Sequence, residues 1–110
     1  MLNKKDLIAL NQKFSNGRMH NASSLDFVLQ QTYRSPHWYK TMCLLVRAIL
    51  IDHIFEDGNK RTAAAVIMGY LDIYGYSYNA DNVSKVVLQI TKSNTTSVDK
   101  IGRLIKHVLE

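Results

Sequence analysis

A ten-residue stretch from His53 to Thr62 constrains this 110-residue chain more than any other part of it. It combines an imidazole, two carboxyl groups, a glycine, an amide and two cations, and apolar runs flank it. The alanine-rich run after Gly58 predicts a helix that begins near Asn59. A helix N-terminus offers unpaired backbone N–H groups and the positive end of the helix dipole. With Lys60 and Arg61 added, this end predicts an anion site suited to phosphate groups.

Two more side chains add chemistry to the predicted phosphate site. Asp57 would repel a bare phosphate, so its position makes sense if a divalent cation bridges its carboxylate to phosphate oxygens. His53 is the natural proton acceptor near neutral pH. A base, a metal carboxylate and a phosphate cradle together indicate the transfer of a group from a nucleoside triphosphate to a hydroxyl.

The order of these residues resembles a known signature. The stretch reads His53-x-Phe55-x-Asp57-Gly58-Asn59-x-Arg61, and the signature of the Fic/Doc family is HxFx(D/E)GNxR. The resemblance implies a Fic/Doc fold, with His53 as the general base, Asp57 as the Mg²⁺ ligand and Phe55 as the anchor of the loop in the core. The phosphates of ATP, the donor substrate, are then expected on four residues: Gly58, Asn59, Lys60 and Arg61.

Two positions favour the Doc branch of the family, whose members are toxins that transfer the terminal phosphoryl group. Fic proteins that transfer AMP usually have Gly where this chain has Lys60, and a second Arg where it has Ala64. The resemblance therefore implies phosphoryl transfer to a hydroxyl side chain of a target protein, and it points toward the translation machinery. AMP transfer stays open as the alternative, because the orientation of the nucleotide decides which phosphorus is attacked.

Control by a second protein is a further implication of the resemblance. Many Fic proteins carry an inhibitory helix with the pattern (S/T)xxxE(G/N), whose Glu occupies the phosphate site. The only glutamates of this chain are Glu56 and Glu110, and neither fits that pattern. A Doc-like toxin would instead be controlled by a small antitoxin protein that inserts a helix beside the active site.

Composition and apolar spacing predict a single all-α domain over residues 1–110, built as a bundle of about six helices. Apolar residues make up 46% of the chain and there is one proline, with few of the alternations typical of strands. Caps and apolar spacing place the helices at 4–14, from Ser23 or Ser24 to about 31, and at 36–52, 59–74, 82–93 and from 98 onward. The inward stripe of the fourth helix is expected to include Tyr74.

The segment before the motif helix has two interpretations. In Fic/Doc proteins this segment often forms an extended flap that positions the target peptide by main-chain pairing. By resemblance, the flap would consist of Thr32, Tyr33, Arg34 and Ser35. An ordinary connection between two helices fits the same residues equally well.

Charge and cysteine content bound the remaining classes. The net charge of +5 suits an anionic ligand or an acidic partner. No apolar run approaches the roughly 20 residues of a membrane helix, so we expect no membrane association. Cys43 is the single cysteine, which excludes an internal disulfide and makes the cytoplasm the simplest location.

The rival from another functional class is a non-catalytic helical module that binds nucleotide or nucleic acid, for example a basic helix-turn-helix protein. The basic pI permits this interpretation. However, the basic residues are spread along the chain, and no predicted helix collects Arg, Asn and Gln on one side to read a groove. Direct contact with nucleic acid is therefore not expected.

Overall fold

The helix α3 (Trp38–Leu50) lies at the centre of the computed structural model, which describes residues 2–34 and 37–109. The helices around it are α1 (Lys4–Gln12), α2 (Ala22–Arg34), α4 (Asn59–Ile73), α5 (Ala80–Lys92) and α6 (Val98–Lys106). α3 packs against α2, α4, α5 and α6, whereas α1 packs on α4. Eight of the 13 residues of α3 are buried, and a helix that is apolar on most sides must be covered on most sides.

Buried apolar side chains from all six of these helices form one cluster. The radius of gyration is 12.6 Å, close to the roughly 13 Å expected for a globule of this length. Within the described residues, β-pairing is limited to two isolated antiparallel bridges, Met19–Phe55 and Tyr78–Leu109. The prediction of a six-helix all-α bundle is therefore confirmed. No helix in the described ranges is long and apolar enough to span a membrane.

Local capping explains where several helices begin. Asn3 and Asp6 form a reciprocal capping box, in which each side chain accepts the backbone N–H of the other. The Asn79 side chain accepts two N–H groups at the start of α5, and Ser97 accepts one at the start of α6. The sequence predicts caps at Asn3, at Ser97 and at either Asn79 or Asp81, and the structure confirms Asn3, Asn79 and Ser97. Gly75 follows α4 in the left-handed conformation, with φ of 78°, as its sequence position predicted.

The extended flap is wrong for Thr32, Tyr33 and Arg34, because these residues form the last turn of α2. Ser35 lies outside the described residues. Thr32 is 1% exposed and lies four residues after Val28 on the buried face of α2. Its hydroxyl donates to the Val28 carbonyl at 3.0 Å. Packing of this face therefore continues the helix through residues that the resemblance had suggested were extended.

Several helix ends lie a few residues from the predicted positions, and two of these differences involve residues that the predictions named. Pro36, the predicted first residue of the third helix, lies outside the described residues, and α3 begins at Trp38 with His37 at its N-cap. Tyr74 is not an inward residue, because α4 ends at Ile73 and Tyr74 leaves the helical face as the C-cap. Tyr74 is 47% exposed, and its ring stacks on that of Trp38 at a centroid distance of 4.2 Å.

Replacing a central leucine tests the central place of α3. Leu45 is 0% exposed in α3, whereas Leu88 in α5 is 43% exposed. Leu45→Ala should lower the free energy of unfolding by about 2–5 kcal/mol, because it removes buried methyl groups and leaves a cavity. Leu88→Ala, the matched control, should cost less than about 1 kcal/mol. Urea denaturation of both variants measures the difference, and equal losses would contradict this packing.

Candidate functional site

An open cleft of about 520 Å³ lies where α3 ends and α4 begins. Its lining comes from the connection between these helices, from the first turn of α4, and from α3, α5 and the residues after α1. The residues that line it are Phe14, Leu50, His53, Glu56, Asp57, Gly58, Asn59, Lys60, Arg61 and Thr91. The fold thus brings the predicted base, metal ligand and phosphate residues to one cleft. Phe55 does not line it, and neither do the described residues of the predicted flap, Thr32, Tyr33 and Arg34.

Phe55 holds the connection between α3 and α4 in the core. It is 1% exposed, and its neighbour Ile54 is 0% exposed. The segment around Met19, before α2, pairs with this connection through the isolated antiparallel bridge between Met19 and Phe55. Its His20 N–H donates to the Ile54 carbonyl at 2.8 Å, and the Glu56 N–H donates back to the Arg18 carbonyl at 3.0 Å. Buried apolar residues and backbone pairing therefore fix the loop that carries the polar residues of the cleft.

His53 is exposed and lies three residues beyond the end of α3. Its φ of 52° is in the left-handed region, which is uncommon for a residue with a side chain and often marks a functional site. The ring Nδ1 lies 3.0 Å from the Ile51 carbonyl oxygen. Because a carbonyl can only accept, this hydrogen bond requires a proton on Nδ1. In the neutral ring, Nε2 is then the nitrogen with a free lone pair.

The Asn59 side chain serves the loop itself. Its Nδ2 donates to the Phe55 carbonyl at 2.9 Å, and its Oδ1 accepts the Phe55 N–H at 3.2 Å. The amide thus pairs with both backbone groups of a buried residue that has no regular secondary structure to satisfy them. What remains for a phosphate is the backbone N–H of Asn59, since no side chain caps this end of α4.

Gly58 occupies the N-cap of α4 with φ of 76°, which is left-handed. A Cβ at this position would lie 3.1 Å from the Asn11 Nδ2 atom and 3.2 Å from the Ser15 Cβ atom. Both the backbone conformation and the close packing against the end of α1 therefore require glycine. The result is a bare helix N-terminus that opens directly onto the cleft.

Asn11 was missed by the sequence analysis, although it connects three parts of the site. It is 0% exposed. Its Nδ2 donates to the Asp57 carbonyl at 2.9 Å and to the Thr62 hydroxyl at 3.0 Å, and its Oδ1 accepts the Gly17 N–H at 3.0 Å. One signal was present in the sequence, because Asn11 lies four residues after the buried Leu7 and so shares the core face of α1.

The charged side chains of the cleft are all exposed: Glu56, Asp57, Lys60 and Arg61. Among residues 2–34 and 37–109, no group of three or more His, Cys, Asp or Glu side chains is placed to enclose a metal ion. One carboxylate beside an uncapped helix N-terminus would fit Mg²⁺ that is held jointly by protein and phosphate oxygens, as Mg²⁺ commonly is. This donor set therefore suits a cation that arrives with a nucleotide.

Phe14 and Thr91 also line the cleft and were not singled out from the sequence. Phe14 follows α1 and is 36% exposed, whereas Thr91 lies near the end of α5. Neither residue is close to the motif in sequence, and no spacing rule connects them to it. Their place in the cleft follows from how α1 and α5 pack against α4.

No protein-family model matches this chain, and no curated protein matches it. The likeness to Fic/Doc proteins therefore depends on the motif residues and on where the fold places them. Every fixed position of the signature is present, from His53 to Arg61. All of these residues except Phe55 line one cleft.

Three glycine substitutions separate the two reasons for Gly58. Gly69→Ala, in the interior of α4 with open space around it, should stabilise the protein by about 0.5–1 kcal/mol. Gly75→Ala should cost about 1–2 kcal/mol through the left-handed backbone alone, because nothing lies within 4 Å of its Cβ position. Gly58→Ala should cost clearly more than Gly75→Ala, because it adds steric overlap. Urea denaturation measures all three, and equal costs at Gly58 and Gly75 would contradict the close packing.

Removing the Asn11 amide should weaken the hydrogen bonding that holds the loop at Asp57 and the turn at Gly17. Asn11→Ala leaves the Asp57 carbonyl and the Gly17 N–H without their partner, at about 1–3 kcal/mol for each unpaired group that stays buried. We expect a lower free energy of unfolding and faster hydrogen exchange at the Gly17 amide. Asn82→Ala, at an exposed position of α5, is the control and should change neither quantity measurably. Unchanged exchange at Gly17 in Asn11→Ala would rule out this role.

Proposed function

We propose that this chain is a Doc-like transferase that moves the terminal phosphoryl group of ATP to a hydroxyl side chain of a target protein. The observation that carries the proposal is that His53, Asp57 and the uncapped N-terminus of α4 line the same cleft. A proton acceptor, a carboxylate and an anion seat within one cleft are the parts that this reaction needs. The resemblance of the motif to the Fic/Doc signature supports the same assignment.

The first turn of α4 is the proposed phosphate-binding site. The N–H groups of its first residues have no partner within the helix, and no side chain caps them. The helix dipole and the cations of Lys60 and Arg61 add positive potential at this end. Arg61 can also donate two parallel N–H groups to a phosphate, which a lysine cannot do. The missing side chain of Gly58 lets a phosphate approach the backbone closely.

His53 is the proposed general base. In the proposed step, the target hydroxyl oxygen forms a bond to the γ-phosphorus and its proton passes to His53 Nε2. The bond between the γ-phosphorus and the bridging β–γ oxygen breaks, and ADP leaves. The hydrogen bond from Nδ1–H to the Ile51 carbonyl orients the ring and stabilises the imidazolium that forms.

Asp57 is the proposed ligand of Mg²⁺. When bound, Mg²⁺ would supply neutralisation of the negative charge on the phosphate oxygens. The backbone of Asp57 is held by the hydrogen bond from Asn11 to its carbonyl. Its exposed carboxylate is therefore presented from a fixed point of the loop.

Transfer of AMP is the alternative reaction of the same site, and the start of α4 bears on the choice. Ala64 lies with Lys60 and Arg61 around a smaller pocket of about 230 Å³ between α4 and α5. AMP-transferring Fic proteins usually have a second Arg at the position of Ala64. This chain has a methyl group at that place and an additional cation at Lys60, which together favour phosphoryl transfer.

Two protein partners belong to the proposal. The acceptor is a target protein with an exposed Ser, Thr or Tyr, and the resemblance points toward the translation machinery. The second partner is a small antitoxin that blocks the site, because the chain has no inhibitory Glu of the Fic pattern. Both partners are expectations that follow from the resemblance, whereas the cytoplasmic location is the expectation from the single cysteine.

Isotope labelling of ATP tests the reaction directly. The purified protein is incubated with cell extract and Mg²⁺, with ATP labelled at either the α or the γ phosphate. We expect label from the γ position only, on a protein of the extract. His53→Ala should reduce the transfer by at least about 100-fold, the usual contribution of a general base. His107→Ala, at an exposed position at the end of α6, is the matched control and should transfer normally.

Two other outcomes would contradict the proposal in different ways. Label from the α position would assign the chain to AMP transfer and contradict the interpretation of Lys60 and Ala64. No transfer of either label that depends on His53, from protein free of any inhibitory partner, would contradict the enzyme proposal. That result would favour a binding module.

A further inference from the structure

A second pocket, of about 350 Å³, lies between the start of α3 and α6. Its lining includes the charged side chains of Lys40, Asp99, Arg103 and Lys106, together with His37. Along α3, the nearest lining residues of this pocket and of the cleft beside His53 are Cys43 and Leu50, which lie about 10 Å apart on the helix. None of the residues that line the second pocket lines the first.

The second pocket carries a surplus of positive charge. Lys40, Arg103 and Lys106 contribute three permanent cations and Asp99 one carboxylate, which gives a local charge of 3 − 1 = +2. Within the described part of the chain, the only ion pair is that of Lys4 with Asp26. None of the three cations is therefore in an ion pair with a carboxylate of the described residues, although Asp99 shares the lining. A concave surface lined by one sign of charge concentrates ions of the opposite sign.

Several contacts fix the walls of this pocket. The Tyr39 hydroxyl donates to the Gly102 carbonyl at 2.6 Å, which ties α3 to α6. Gly102 permits this approach, because a Cβ there would lie 3.3 Å from the Tyr39 Cε2 atom. The Lys106 Nζ atom lies 5.9 Å from the centre of the Tyr39 ring, within the range of a cation–π interaction. One cation of the pocket is thus held against a ring that is itself fixed.

The uncharged part of the wall stays uncharged near neutral pH. Burial raises the pKa of the Cys43 thiol to about 12, with a further contribution from Asp99. Burial also raises the pKa of the Tyr39 hydroxyl above its usual range. Neither group therefore adds a negative charge that would oppose an anion, and Asp99 is the one acid among the described residues of the lining.

We propose that this pocket binds a small organic molecule through a phosphate monoester group. Such a group carries a charge of about −1.5 to −2 at neutral pH and three acceptor oxygens, which matches the local charge and the donors of Lys40 and Arg103. Arg103 can pair with two of these oxygens at once. The ring of Tyr39 and the side chain of Val98, which share the lining, offer apolar surface to the organic part. The proposal is independent of the transferase activity proposed for the other cleft.

A residue-resolved titration tests the proposal. The ¹⁵N-labelled full chain is titrated with phenyl phosphate, and separately with inorganic phosphate, at constant ionic strength. We expect saturable shifts of the Gly102 and Arg103 amides, with phenyl phosphate binding more tightly than inorganic phosphate. Arg103→Gln should weaken phenyl phosphate binding at these amides at least about fivefold, because a charge-assisted hydrogen bond is lost. Lys100→Gln removes the same charge from an exposed position of α6 outside the pocket and should change the affinity less than about twofold.

Four outcomes would overturn the assignment. Shifts that do not saturate, or an equal effect of Lys100→Gln, would show attraction to general positive charge without a site. Equal affinity for both probes would contradict the organic ester. Shifts confined to the Gly58 and Asn59 amides would place all phosphate binding at the first cleft. The two sites report through different amides, so failure here is distinguishable from failure of the proposed transferase site. Both substituted side chains are exposed, and urea denaturation of the variants checks that folding is intact.

Discussion

The cleft depends on one buried amide. Asn11 uses both hydrogens of Nδ2 and its Oδ1, and each bond reaches a different part of the chain: the loop at Asp57, the first turn of α4 at Thr62, and the turn at Gly17. A buried amide is costly unless its donors and acceptor are paired, so these bonds stabilise only one relative arrangement of the three parts. The charged side chains of the cleft are exposed, whereas the Asn11 amide that positions their loop is buried.

Some residues of the motif act through their side chains, and others act through their backbone N–H groups. The Asn59 amide is occupied by the backbone of Phe55, and Gly58 has no side chain to offer. What the two residues present to the cleft is main-chain N–H, at the helix end where the dipole is positive. The signature is therefore restrictive for two physical reasons: some positions must hold the loop in shape, and others must leave its backbone bare.

The sequence was sufficient for the helix order and for the motif, but not for the supporting contacts. Caps such as Asn3 and Asn79 were predictable because they act within one turn. The helical conformation of Thr32 was not predictable in this way, because it depends on burial of one face of α2 against the rest of the bundle. The same holds for Phe14 in the cleft and for the partners of Asn11, whose bonds span up to 51 positions. Local chemistry is readable from local sequence, whereas long-range packing is not.

Trp38 gives this protein a single source of tryptophan fluorescence. It is the only tryptophan of the chain, and its ring stacks on Tyr74 at 4.2 Å and meets the edge of Tyr39 at 5.4 Å. Its fluorescence therefore reports on the junction of α3 with the end of α4. The ring lies at the opposite end of α3 from His53, against Tyr39, which lines the second pocket. The protein thus carries a native optical probe for one end of its central helix, and the cleft at the other end has no tryptophan.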